Sequence, residues 1–204
     1  MTEHPDSERI RNLLADAMPG PTAAAVANSR SNVESWYQGI APVTYWCRLG
    51  TPIGPLHLAA SDVGLRRISF TGNTSAFLDE LDGRSRLIED PRAMAPYRQQ
   101  LLDYFNGGLR RFSLPLDLTT VTAFQRRVLS AIAKIPAGTV RSYGQVAAAI
   151  GKPKAARAVG QALGSNPIPI VLPCHRVVAS DGSLGGYAGG LHRKRQLLAL
   201  EGDG

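Results

Sequence analysis

The stretch that most constrains the fold is "RSYGQVAAAIGKPKAARAVGQALGSN", residues 141–166. Ser142 followed three residues later by Gln145 is a capping box, which satisfies two backbone N–H groups and starts a helix. Gly151 ends that helix, "GKPK" makes a turn, and Pro153 suits the first turn of the next helix. Helix, tight turn and helix at this spacing predict a helix-turn-helix. Just upstream, "TAFQRRVLSAIAKIP" spaces Phe124, Val128 and Ile132 four residues apart, one face of a supporting helix. A mainly helical unit is therefore expected over residues 119–204.

The second helix of the motif reads Ala155, Ala156, Arg157, Ala158, Val159, Gly160, Gln161, Ala162. Reading base edges in the major groove takes several long hydrogen-bonding side chains. Small residues instead let a backbone approach DNA closely whatever its sequence. An Ala-rich core helix is the competing reading, and it leaves Arg157 unexplained. Charge supports a polyanion partner: residues 121–204 hold 11 Lys/Arg against 3 Asp/Glu, whereas residues 1–120 hold 12 against 13. A solvated basic face would give the same count.

Before this unit the pattern differs. Residues 1–42 read as an extension, a short amphipathic helix (Ile10, Leu13, Leu14, Ala17) and then a small-residue linker. Over 43–118 three short strands are expected in "VTYWCRLGTPIGPLHLAASDVGLRRISF". A helix in "APYRQQLLDYFNGG" and a strand in "RRFSLPLDL" complete a small α/β unit. Its polar groups show no catalytic clustering, so a scaffold role is assigned to it. Cys47 alternates with Tyr45 on a strand and reads as a core thiol.

Two cysteines and four histidines give no zinc-finger spacing and no disulfide framework. No metal and no cofactor is expected. No apolar run approaches the roughly 18 residues of a membrane span, and "MTEHPDSERIRN" is not a signal pattern. A cytoplasmic protein is expected.

The second cysteine, Cys174, ends "NPIPIVLPC" and is followed by His175. Each proline biases its predecessor toward extended backbone, so the segment should run extended into Cys174. A free thiol is only roughly 3% thiolate at pH 7. His175 and Arg176 could raise that fraction, although neighbours on a strand point to opposite faces. "GGYAGG", residues 185–190, offers backbone N–H groups with little bulk, suited to a planar ligand or simply to a turn. In the last helix, "LHRKRQLLALEG", Arg193, Lys194 and Arg195 sit at the positive end and Glu201 at the negative end. Both placements oppose the helix dipole. The cations make sense against phosphate, and Glu201 against a fixed partner such as His175.

"PCHRVV", "RAVGQALGSNPIPI", "RSYGQVA", "GGYAGG" and "LLALEG" together resemble the O6-alkylguanine-DNA alkyltransferases, over about residues 43–202. The resemblance implies an α+β protein. A ribonuclease-H-like α/β domain would precede a mainly helical, winged-helix-like domain that docks in the minor groove. It implies that Cys174 accepts the alkyl group and that His175 and Glu201 activate it, with a water between Cys174 and His175. Asn166 would hold the turn, Tyr143 would donate to guanine N3, and Arg157 would fill the stack once the base has flipped. Ala155, Ala156, Ala158 and Gly160 would lie against DNA. Val177, Tyr187, Ala188 and Gly189 would surround the flipped base. A Ser often occupies the Ala188 position in the family, and its backbone N–H survives here. The implied partner is double-stranded DNA carrying O6-alkylguanine, with O4-alkylthymine a further candidate, and the protein would act as a monomer. Glu201 is expected to act through His175 rather than through packing.

This fits the reading from residues, since an alkylated O6 inside a duplex cannot be reached until the base leaves the stack. Three alternatives stay open from sequence: a lesion sensor without repair, a Cys–His hydrolase and a sequence-specific helix-turn-helix regulator.

Overall fold

The computed structural model describes residues 41–202 except Asp82 and Arg84, together with Val26 and Ser29. The expectations for the 1–42 extension lie outside these residues. Residues 42–204 form one compact unit.

Its first half is a four-stranded mixed sheet. Strands β1 (Val43–Leu49), β2 (Leu56–Ala60), β3 (Leu65–Ser69) and β4 (Arg86–Glu89) lie in the order β3-β2-β1-β4. The β1–β2 and β2–β3 pairs are antiparallel, and β4 adds to β1 in parallel. Every residue of β2 is buried, as expected of a central strand covered on both faces. Helix α1 (Thr74–Asp79), capped by the Asn73 side chain, leads toward β4. Helix α2 (Ala95–Phe105) follows and buries Leu101, Tyr104 and Phe105. Cys47 is fully buried, and burial pushes its thiol up to about 11.

The expected strand in "RRFSLPLDL" is not a strand. One bridge joins Leu116 to Leu65. Leu65 N donates to Pro115 O, and Asp117 N donates to Leu65 O, both at 2.9 Å. Pro115 has no N–H to extend a ladder. Gly64 is required at this crossing: its φ is +152°, and a Cβ would stand 2.3 Å from Pro115 O. The short elements α1 and β4 gave no periodic signal long enough to read from sequence.

The second half is helical. Helix α3 (Ala123–Ile132) starts at Thr122, whose hydroxyl accepts from Gln125 N. Strand β5 (Arg141–Ser142) leads into α4 (Tyr143–Ala149) through the expected Ser142–Gln145 capping box. Helix α5 (Ala156–Gly164) completes the helix-turn-helix. Pro153 lies in the connecting turn, not in the first turn of α5. The added turn residues are closed by Ala155 N donating to Lys152 O. Gln125 Nε2 donates to Ser165 O at 2.9 Å, tying the end of α5 to α3. Strand β6 (Val177–Val178) pairs in parallel with β5, and α6 (Leu191–Gly202) closes the unit. Among the described residues no helix is long and apolar enough to cross a membrane.

Candidate active site

The expected extended run into Cys174 is broken by a bend. Ile170 adopts φ +75°, the left-handed region, although it is β-branched and fully buried. Such backbone costs of order 1–3 kcal/mol and persists only where neighbours enforce it. Asn166 is the enforcing group. Its Oδ1 accepts from Ile168 N at 3.1 Å and its Nδ2 donates to Leu172 O at 2.8 Å, spanning the bend from both sides. The α/β half adds a third hold, Ile68 N donating to Pro167 O at 2.9 Å. The chain then enters a 3-10 turn, Cys174–Arg176, rather than a strand. Cys174 and His175 are therefore not forced to opposite faces.

All three turn residues are buried, at 6%, 0% and 5% exposure. His175 Nε2 lies 2.9 Å from Glu201 Oε1. Arg176 Nε donates to Oε2 at 2.9 Å and Arg176 Nη2 to Oε1 at 2.7 Å. Tyr104 OH donates to Oε1 at 2.8 Å. Burial works to raise the Glu201 carboxyl, but the hydrogen bonds from His175 and Arg176 overcome it and hold the group well below the usual carboxylate range. An ionised carboxylate only accepts. His175 Nε2 must then carry the proton, which leaves Nδ1 as the free lone pair. Nδ1 is buried and has no protein partner. Burial also keeps His175 neutral, its pKa lying below the ordinary value despite Glu201.

The thiol itself is protonated at rest. Burial raises the Cys174 pKa more than the Asn166 hydrogen bond and the Lys194 charge lower it. The help to the thiol expected from His175 and Arg176 does not show at rest: burial holds the His175 pKa down, and Arg176 is paired with Glu201. A protonated thiol, an imidazole with a free Nδ1 lone pair and a fixed carboxylate thus lie buried in one site.

The basic start of α6 also departs from expectation. Lys194 is fully buried, and its Nζ donates to Val177 O at 2.6 Å and to Leu184 O. Arg193 Nε donates to Ile53 O, Nη1 donates to Gly189 O, each at 2.9 Å, and its guanidinium lies over Phe70. These two cations clamp backbone rather than meet phosphate. Arg195 is exposed.

Tyr143, at the start of α4, is half-buried between two glycines. A Cβ on Gly160 of α5 would touch its ring at 3.8 Å, and one on Gly185 would stand 2.9 Å from its hydroxyl. Burial and then the nearby Cys174 raise its pKa, so the hydroxyl stays a donor. Tyr187 packs against Phe70, and its hydroxyl is buried without a protein partner. Val177 is buried, Gly189 is buried and Ala188 is exposed. Ala188 and Gly189 line a cleft of about 600 Å³ with Asn166, Pro169, Phe70 and Arg193. Arg157 is exposed on α5, flanked by the half-buried Ala155, Ala156 and Ala158.

Arg176 and Tyr104 are the site residues that sequence reasoning underused. Arg176 sits next to the cysteine–histidine pair and was open to reading as a partner of Glu201. Tyr104 lies 97 residues from Glu201 in a helix read as scaffold, and no local pattern marks it.

The family models described as the ribonuclease-like domain and the DNA binding domain of 6-O-methylguanine DNA methyltransferase match residues 44–118 and 123–203. A methylated-DNA–protein-cysteine methyltransferase of Mycolicibacterium paratuberculosis is 49% identical over 151 residues, covering 74% of this chain and 88% of that protein. One from Methanosarcina barkeri is 42% identical over 163 residues, covering 77% and 96%. The crystal structure of Mycobacterium tuberculosis OGT in complex with DNA superposes with a TM-score of 0.70 at 44% identity, covering 78% of this chain and 93% of that one. The chain belongs to the 6-O-methylguanine DNA methyltransferase family.

Proposed function

We propose that this protein repairs DNA by taking O6-alkylguanine out of the duplex and transferring the alkyl group to Cys174. The observation that carries the reading is a buried thiol followed directly by an imidazole bonded to a carboxylate, on a bend pinned by Asn166. The Cys174 sulfur attacks the alkyl carbon, an S–C bond forms, and the C–O6 bond breaks. The thiol proton passes through a bridging water to His175 Nδ1, and Glu201 stabilises the imidazolium. Tyr143 donates a hydrogen bond to guanine N3, which eases the loss of the guanine anion while Tyr143 keeps its own proton. The anion then takes up a proton and the His175 imidazolium gives one up. The proton lost by the thiol thus balances the one gained by guanine. The thioether product has no nearby group to reverse it, so one molecule repairs one lesion.

Val177, Tyr187, Ala188 and Gly189 surround the flipped base in this reading. Arg157 enters the gap left in the stack, with Ala155, Ala156, Ala158 and Gly160 against the backbone of the minor groove. The protein acts as a monomer on double-stranded DNA in the cytoplasm. The test is intact-protein mass after incubation with DNA containing O6-methylguanine, followed by peptide mapping. One methyl on Cys174 supports the reading. Methyl on Cys47, or several lesions repaired per molecule, overturns it.

A further inference from the structure

Glu201 Oε1 is crowded with donors: His175 Nε2, Arg176 Nη2 and the Tyr104 hydroxyl, all within 2.9 Å. Tyr104 arrives from α2 in the α/β half, where it is 2% exposed. Its ring is fixed edge-on to Phe105 and tilted against Phe112, each at 5.3 Å between centroids. Burial first, and then Glu201, raises the Tyr104 pKa, so the hydroxyl remains a donor across any working pH. A donor to an ionised carboxylate stabilises its charge and leaves less of it for a third partner. Here that third partner is the imidazole that must accept the thiol proton.

The other charged and titratable groups around this pair are accounted for. Arg176 comes from the 3-10 turn, and Arg110 Nη1 donates to Glu201 O at 3.0 Å from the segment after α2. Lys194 lies on α6 itself, and the Cys174 thiol, the Tyr187 hydroxyl and, beyond it, Arg193 are the others among the described residues. The cations also clamp backbone or each other's partners, so removing one disturbs the fold. Tyr104→Phe removes only a hydroxyl and keeps the ring.

We propose that Tyr104 is a positioning residue of the transfer site, its hydroxyl limiting how strongly Glu201 supports a proton on His175. The α/β half then sets the proton-accepting power of a site built by the helical half. The inference rests on the alkyl-transfer reading.

The test is the pH dependence of Cys174 alkylation by free O6-benzylguanine, from about pH 5 to about pH 10, in the full-length protein. Tyr104→Phe should lower the apparent thiol pKa by about half a unit, so the rate on the acid limb rises about threefold while the alkaline plateau is unchanged. A purely structural tyrosine would slow the reaction at every pH without moving the midpoint. Site-specific 3-fluorotyrosine at 104 keeps the fold, makes the hydroxyl a stronger donor and should move the midpoint up. A midpoint unmoved by the fluorinated residue, or moved up by Tyr104→Phe, overturns the proposal. If the unsubstituted protein gains no mass on Cys174, the transfer reading fails instead.

Discussion

Arg176 grips Glu201 with two bonds, Nε to Oε2 at 2.9 Å and Nη2 to Oε1 at 2.7 Å, inside a site where both side chains are almost wholly buried. Arg176 Nη1 also donates to Ile135 O at 2.5 Å, so the guanidinium is fixed on three sides. The carboxylate is thus a fold element as well as a partner of His175. The expected partner His175 is in place, and the Arg176 pair adds a packing role beside it.

Glu201→Gln should consequently destabilise the protein. The amide can offer one acceptor oxygen, and its NH2 must then face a donor from Arg176, Tyr104 or His175. Arg176 is left a buried cation without a counter-charge, a loss of about 3–5 kcal/mol when one member of a buried pair is removed. Denaturant unfolding of the unmodified protein and the variant measures it. A change below about 1 kcal/mol would mean that the ion pair contributes only the margin typical of surface pairs.

The same burial gives stability a bell-shaped pH dependence. His175 has a folded-state pKa below its unfolded value, so the unfolded chain binds the extra proton and stability falls as pH drops below about 6.5. Cys174 has a folded-state pKa above its unfolded value, so the unfolded chain releases its proton first and stability falls as pH rises above about 8.5. Cys47, pushed up to about 11, adds to the alkaline arm. Melting temperature should therefore peak between about pH 6.5 and about pH 8.5. Cys174→Ala should flatten part of the alkaline arm and leave the acid arm in place. An alkaline arm identical in the two proteins would place the titration on other groups.

The helix-turn-helix was legible because its signals are local: a capping residue three positions from its partner, a glycine with φ +71° at Gly151, a run of small residues. Cys174, His175, Asn166 and Glu201 were legible through a resemblance carried by compact motifs. The turn at Cys174 was not, because proline patterning predicts extended backbone, while the bend at Ile170 is imposed by a side chain four residues away and by Ile68 on another strand. The basic start of α6 departs from expectation for a related reason. Charge is visible in sequence, whereas burial of Lys194 against two carbonyls is a property of the packed chain. Tyr104 escaped altogether, since a contact across 97 residues leaves no periodic trace.

Arg157 is exposed among the small residues that start α5, and no described contact holds it. Arg157→Ala should slow repair of O6-methylguanine in duplex DNA by about tenfold or more, equivalent to ~1.4 kcal/mol of barrier. Reaction with free O6-benzylguanine should stay within about twofold, because a free base needs no flipping. Single-turnover kinetics on the two substrates separate the effects. Equal losses on both would make Arg157 a support of the pocket.

Gly160 offers the cleanest separation of folding from DNA contact. It lies inside α5, where glycine is less favourable than alanine by roughly 0.5–1 kcal/mol. The space for a methyl exists: a Cβ would meet the Tyr143 ring at 3.8 Å, ordinary van der Waals distance. Gly160→Ala should therefore raise stability by about that amount in denaturant unfolding. If α5 lies against the DNA backbone, the same methyl intrudes on the close approach, and affinity for undamaged duplex should fall at fixed salt. Free O6-benzylguanine should still alkylate Cys174 at close to the original rate, since Tyr143 need not move. A variant that is stabilised and binds DNA as tightly as before would show that the small residues of α5 serve packing against Tyr143 and not access to the duplex.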